Sequence, residues 1–257
     1  MRNGEDGAAC REGRRKANRR ANRRANRKGR SEMEARPLRP RSAKGLVACI
    51  TEQMERLVGP AQYVLHDRRS ADIHSDIHLD IHVDIHVVPA NPKRPYTTLY
   101  TTGLSQKRMK VPPCGCGGDG YAELMITLPE SWPIEPDTRG EHLTWPVAWL
   151  RDLSLYPHRA GTWLGWGHTL PNGDPPAPLA ENTALSGVLL LPPPSFERPQ
   201  LTHPNGAPID LLALIPLHRA ELDLKLEEGI DALVSRLALY NMTEVVDVDR
   251  PDVTRMP

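Results

Sequence analysis

The chain has 257 residues, is 39% hydrophobic and 25% charged, and carries a formal net charge of +1. That length suits one domain of ordinary-to-large size plus a tail. No stretch approaches the roughly 20 apolar residues of a membrane span, and four cysteines are too few at this length for a secreted disulfide framework.

The near-neutral total hides a split. Residues 1–45 carry sixteen Lys or Arg against five Asp or Glu, and the remainder carries seventeen against twenty-seven. A basic arm on an acidic body is therefore expected, with nucleic acid reachable only through the arm. The N-terminus lacks the apolar run of a signal peptide, so a cytoplasmic location is expected.

Residues 1–45 have almost no large apolar side chains before Leu38 and are expected to be disordered. Arg19-Arg20-Ala21-Asn22 repeats as Arg23-Arg24-Ala25-Asn26. The repeat reads first as a low-complexity extension, with Met33 and Met54 as later starts, and second as a nucleic-acid arm. From Gly45 to Gly59, Leu46, Val47, Ile50, Met54, Leu57 and Val58 recur at helical spacing, and Gly59-Pro60 closes a predicted helix.

Asp-Ile-His then occurs four times between Asp72 and His86, at a four-residue period. Apolar odd positions and Asp or His even positions alternate as in a half-buried strand, and only the last repeats are expected to join a sheet. Further strands are expected at Tyr96–Thr102, Tyr121–Leu128, Ser186–Leu191 and Ile209–Ile215, each bounded by Gly, Pro or Asn. Helices are expected at Pro146–Tyr156 and across Leu217–Tyr240, broken near Gly229. Pro112–Gly120, Pro171–Pro178 and Pro192–Pro208 read as loops. The elements lack a βαβ rhythm, so the fold class is α+β, a mixed β-sheet flanked by helices in a single domain. The expected organisation is arm 1–45, domain 46–250 and C-terminal tail 251–257.

Asp84-Ile85-His86-Val87-Val88-Pro89, Arg94-Pro95-Tyr96-Thr97-Thr98-Leu99 and Thr101-Thr102-Gly103-Leu104-Ser105 resemble, in order, three blocks of the Suppressor-of-fused domain. Tyr121–Ile126, Trp145–Leu150, Thr162–Thr169, Leu214–Leu217 and Glu221–Leu233 continue the resemblance in register over roughly 46–250. It implies a non-enzymatic module that binds a protein. The bacterial single-domain variants, whose wording is nearest, imply an immunity role beside polymorphic toxins, with a toxin domain or an extended peptide as partner. Eukaryotic relatives bind Gli-type factors through a Tyr, an Asp and nearby backbone, and carry a further C-terminal domain for which a chain ending at Pro257 leaves no room. Tyr156 matches that Tyr and His168 the His beside that Asp. The Asp position falls near Gly167, which puts a Gli-type peptide in doubt.

Tyr156, Trp163, Trp166 and His168 are the candidate partner-binding residues, because aromatic side chains join large contact area to a polar handle. Strand-like alternation across this segment would send Trp163 and Trp166 to opposite faces, one to the core and one to the surface.

No metal site or cofactor is expected. Cys114-Gly115-Cys116 has no second ligand pair, and successive histidines of the repeat would lie about 13 Å apart on a strand. Neighbouring Asp and His could share an ion only weakly. Catalytic motifs are absent, and although Glu123 and Asp84 could be posed as paired carboxylates, nothing in the sequence brings them together. The alternatives are a regulator of another intracellular protein and, in a different class, a metal-dependent enzyme using His82, Asp84 and His86.

Overall fold

The computed structural model describes residues 43–66, 81–113, 118–134, 140–197 and 199–257, with the backbone alone at 43 and 44. The basic arm as far as residue 42, the repeats at 72–80 and the Cys114–Cys116 pair lie outside the described residues. The chain divides between Pro40 and Arg41, and everything described belongs to the second unit.

Helix α1 (Ala43–Val58) buries Leu46, Ile50, Met54 and Val58, a four-residue spacing that lines one helix face. Strands β1 (Tyr63–His66), β2 (Asp84–Val88), β3 (Tyr96–Thr102) and β4 (Ala122–Pro129) pair antiparallel in succession. Helix α2 (Glu141–Ala160) follows, then β5 (Thr169–Pro171), β6 (Leu185–Leu191), β7 (Gln200–Thr202) and β8 (Pro208–His218). The chain closes with α3 (Arg219–Glu228) and α4 (Ile230–Leu239). The sheet order is β1-β2-β3-β4-β8-β6-β5, with β7 also on β8, and among the described strand pairs only β4–β8 is parallel. This is the mixed sheet flanked by helices that the composition of the elements implied.

The sheet separates two apolar layers. One holds Ile85, Leu99, Leu124 and Ile126 against Trp145, Leu150 and Leu153 of α2. The other holds Tyr100, Met125, Leu189 and Ile215 against α1, α3 and α4. Central β4 is buried at every position but its last, because helices cover both faces. Full burial of each such Leu or Ile contributes about 1.5–3 kcal/mol against the entropy of ordering it.

Three short strands lie where no strand was expected: β1, β5 in the run-up to the Pro171–Pro178 loop, and β7 inside the Pro192–Pro208 loop. The broken helix is two helices meeting at Gly229, whose φ of 92° leaves the helical region. Residues 251–257 pack back on the fold: Val253 is fully buried, and its N–H donates to Glu221 Oε1 at 3.0 Å.

Candidate binding site

The site begins at the end of α2. Gly161 adopts the left-handed conformation (φ 64°), so the Gly161 and Thr162 N–H groups both reach the Pro157 carbonyl. That cap stops the helix one turn after Tyr156 and turns the chain toward Trp163. Tyr156 is left 44% exposed.

The next segment is not a strand. Trp163 folds back over Gly165, where an added Cβ would come within 2.3 Å of the indole ring. Only glycine fits under that ring. The His168 N–H closes the turn on the Gly165 carbonyl at 3.2 Å, and the His168 ring stands 4.2 Å from that of Trp163, tilted by 60°. The ladder to β6 starts here: Gly167 N–H donates to the Leu190 carbonyl, and Leu190 N–H to the His168 carbonyl. Trp163 is half-buried and packs on the α2-side core, whereas Trp166 at the turn is 54% exposed. The expected division between core and surface therefore holds, through a turn rather than through strand alternation.

Tyr156, Trp163 and His168 line one open depression of about 220 Å³, with Thr162, Leu164, Thr169, Leu170 and Lys225. Trp166 is not part of this lining and stands on the turn beside it. Burial, then the Lys225 ammonium, hold the His168 pKa below the usual 6.5, against a hydrogen bond to the Trp163 backbone. No carboxylate lines the depression, so it offers hydroxyls, an imidazole, an ammonium and aromatic faces. This set can receive carbonyl oxygens and apolar side chains of a peptide. It contains no nucleophile paired with a base. Lys225 comes from α3, more than fifty residues away, and nothing local in the sequence points to it.

Glu123 and Asp84 serve separate partners. Glu123 is fully buried and accepts from Thr101 Oγ1 (2.7 Å), Gly103 N–H (3.0 Å), and the Ser105 hydroxyl (2.5 Å) and N–H (3.1 Å), which ties down the turn after β3. Burial pushes its carboxyl up, and these donors pull it partly back. The trio His82, Asp84 and His86 is not assembled. His86 is buried, stacks on Tyr100 at 4.7 Å and hydrogen-bonds Thr102 Oγ1 at 3.0 Å. Asp84 meets His82 and, instead of His86, His66 from β1. Strand pairing sets that exchange, since His66 is the cross-strand neighbour of Asp84.

Among the described residues, no helix is long and apolar enough to cross a membrane. No curated protein matches the chain by sequence. Solved structures match by fold. The Sufu–Fu complex crystal structure superposes with a TM-score of 0.57 at 15% identity, covering 84% of this chain and 94% of that one. Drosophila Suppressor of Fused gives 0.58 at 15% identity over 82% of this chain, which spans about half (52%) of the Drosophila chain. A Suppressor-of-fused homologue from Neisseria gonorrhoeae gives 0.53 at 12% identity, covering 82% and 97%. At these identities the likeness carries the fold alone. The family model of Suppressor of fused protein matches residues 80–251, about two-thirds of the sequence. The chain belongs to the Suppressor of fused family.

Proposed function

We propose that this chain is a non-enzymatic, cytoplasmic protein-binding module, and that it serves as an immunity protein sequestering a toxin domain. The observation that carries the binding reading is the pair of exposed aromatics, Tyr156 in the lining of a depression and Trp166 on the turn before β5, which is an edge strand among the described residues. Large aromatics left in water are frequent anchors of an interface.

The β5 edge supports an extended segment as the bound form. His168 and Asn172 turn their backbone groups toward β6. Strand alternation then sets the N–H and C=O of Thr169 on the outer edge. A partner strand would pair there while its side chains reach the Tyr156–Trp163 depression. A fold resembling one crystallised as a Sufu–Fu complex also favours the second reading, a regulator of another intracellular protein.

Co-expression separates the two. If a toxin domain is encoded beside this gene, as the immunity reading requires, it should lose its lethality when the chain is co-expressed, and regain it with Thr169→Pro, which removes the outward N–H but leaves the β6 ladder. Undiminished killing beside the wild-type chain would reject the immunity role and leave the regulator reading.

A further inference from the structure

His66, His82 and Asp84 come together at the β1 edge of the sheet, far in sequence from the Tyr156–His168 segment, and the binding reading does not use them. His66 ends β1, Asp84 opens β2 opposite it, and His82 precedes Asp84 by two residues. Asp84 Oδ1 lies 2.9 Å from His66 Nδ1 and 3.1 Å from His82 Nε2, and one donor atom from each residue falls within 4.8 Å of the other two.

We propose that these three side chains form a binding site for a divalent transition-metal cation of the zinc type. Two imidazoles and one carboxylate are the donors such an ion takes, and three protein ligands leave a fourth position to water. With bonds of about 2.0–2.1 Å, ligand atoms in a tetrahedral site stand about 3.3 Å apart. The Asp84 distances are a few tenths of an ångström shorter, and the two imidazole nitrogens lie within 4.8 Å of each other, so the rings must rotate, away from the carboxylate and toward one another, to admit the ion. Asp84 is 15% exposed and fixed by strand pairing, while His66 and His82 are 67% and 50% exposed and free to adjust. The carboxylate is thus preorganised and the entry path open. The ion would clip the short edge strand β1 to β2 in place of the His66–Asp84 hydrogen bond and the His82–Asp84 contact. A search for ligands along one strand misses this site, because its second histidine is supplied by the neighbouring strand.

The full chain, stripped with chelator, is titrated with Zn²⁺ by calorimetry. One site per chain is expected, weakened about tenfold or more by His66→Gln, His82→Gln or Asp84→Asn, in line with loss of a ligand. His66 and His82 are mostly in water and Asp84→Asn keeps the side chain's size, so the metal-free midpoints of these variants should stay close to the wild-type value. Binding at wild-type strength should persist in His86→Gln and in the His74→Gln/His78→Gln double variant. As an independent readout, Zn²⁺ should shift His66 Nδ1 and His82 Nε2 in long-range ¹⁵N spectra. No binding, undiminished binding in the three ligand variants, or loss confined to the His74/His78 variant would each overturn the site.

Discussion

Trp163 and Trp166 differ in what removal would expose. Truncating Trp163 uncovers the apolar layer beneath α2 and leaves His168 without its ring neighbour. The ring is only half-buried, so Trp163→Ala should cost about 2 kcal/mol, below the about 3–5 kcal/mol of a fully buried Trp. Trp166→Ala removes a side chain that is mostly in water and should change stability by about 0.5 kcal/mol or less. Denaturant titration of both variants checks the contrast, and equal losses would show that Trp166 is also a core residue. Such a division within four residues was legible in the sequence as a guess about two faces. Its cause was not, because it depends on Gly165 allowing the indole to lie over the backbone.

At the scale of elements, α3 is held to the end of the chain by a buried ion pair. Arg250 Nη1 donates to Glu221 Oε1 at 2.7 Å, its Nη2 contacts Oε2 and reaches the Pro216 carbonyl at 2.8 Å, and Glu221 has no exposed surface. Glu221 also accepts the His218 N–H at 2.8 Å, capping α3. Arg250→Ala strands a buried carboxylate and should cost about 3–5 kcal/mol, whereas Glu221→Gln with Arg250→Met should cost clearly less. A double-mutant cycle by thermal unfolding measures this, and additive losses would contradict the pairing. Elements were legible in proportion to their burial. β3 matches its expected span of Tyr96–Thr102, and α1, β4, β6 and β8 deviate mainly at their ends, because each carries a run of apolar residues that its period makes recognisable. β1, β5 and β7 span three or four residues and sit at edges, where pairing with a neighbour rather than local pattern makes the strand. The same limit hid Lys225 and His66, whose roles depend on contacts across the sheet or between layers.

For the molecule as a whole, three desolvated histidines contribute to the response to acid. Desolvation lowers the pKa of His86, His158 and His168 from the usual 6.5. The unfolded chain therefore takes up protons near pH 6.5 that the folded chain resists, so these groups favour the fold fully above that value and less as pH falls below it. Glu123 and Asp210 act oppositely, since burial raises their carboxyl pKa values and the folded form then holds protons more readily. The comparison of wild type with His86→Phe isolates one histidine: the variant keeps a ring on Tyr100 and should lose less midpoint between about pH 7 and 5. A steeper acid loss in the variant would contradict the sign.

The proposed binding role requires the fold to present the Tyr156–His168 aromatics together to a protein partner. The cluster of Tyr156, Trp163, Trp166 and His168 was legible, since unusual residue types within thirteen positions stand out in any sequence; its role as a binding surface is the proposal. The partner is not legible, because specificity depends on a second surface. The most direct test is calorimetric titration of the isolated partner domain into the wild-type chain and into Tyr156→Ala/Trp166→Ala, with the thermal midpoint of each taken in the same buffer. The account predicts a midpoint within a few degrees of wild type and an affinity lower by at least about 2 kcal/mol, or roughly thirtyfold. Wild-type affinity in a folded double variant would place the binding surface elsewhere on the domain and contradict the account.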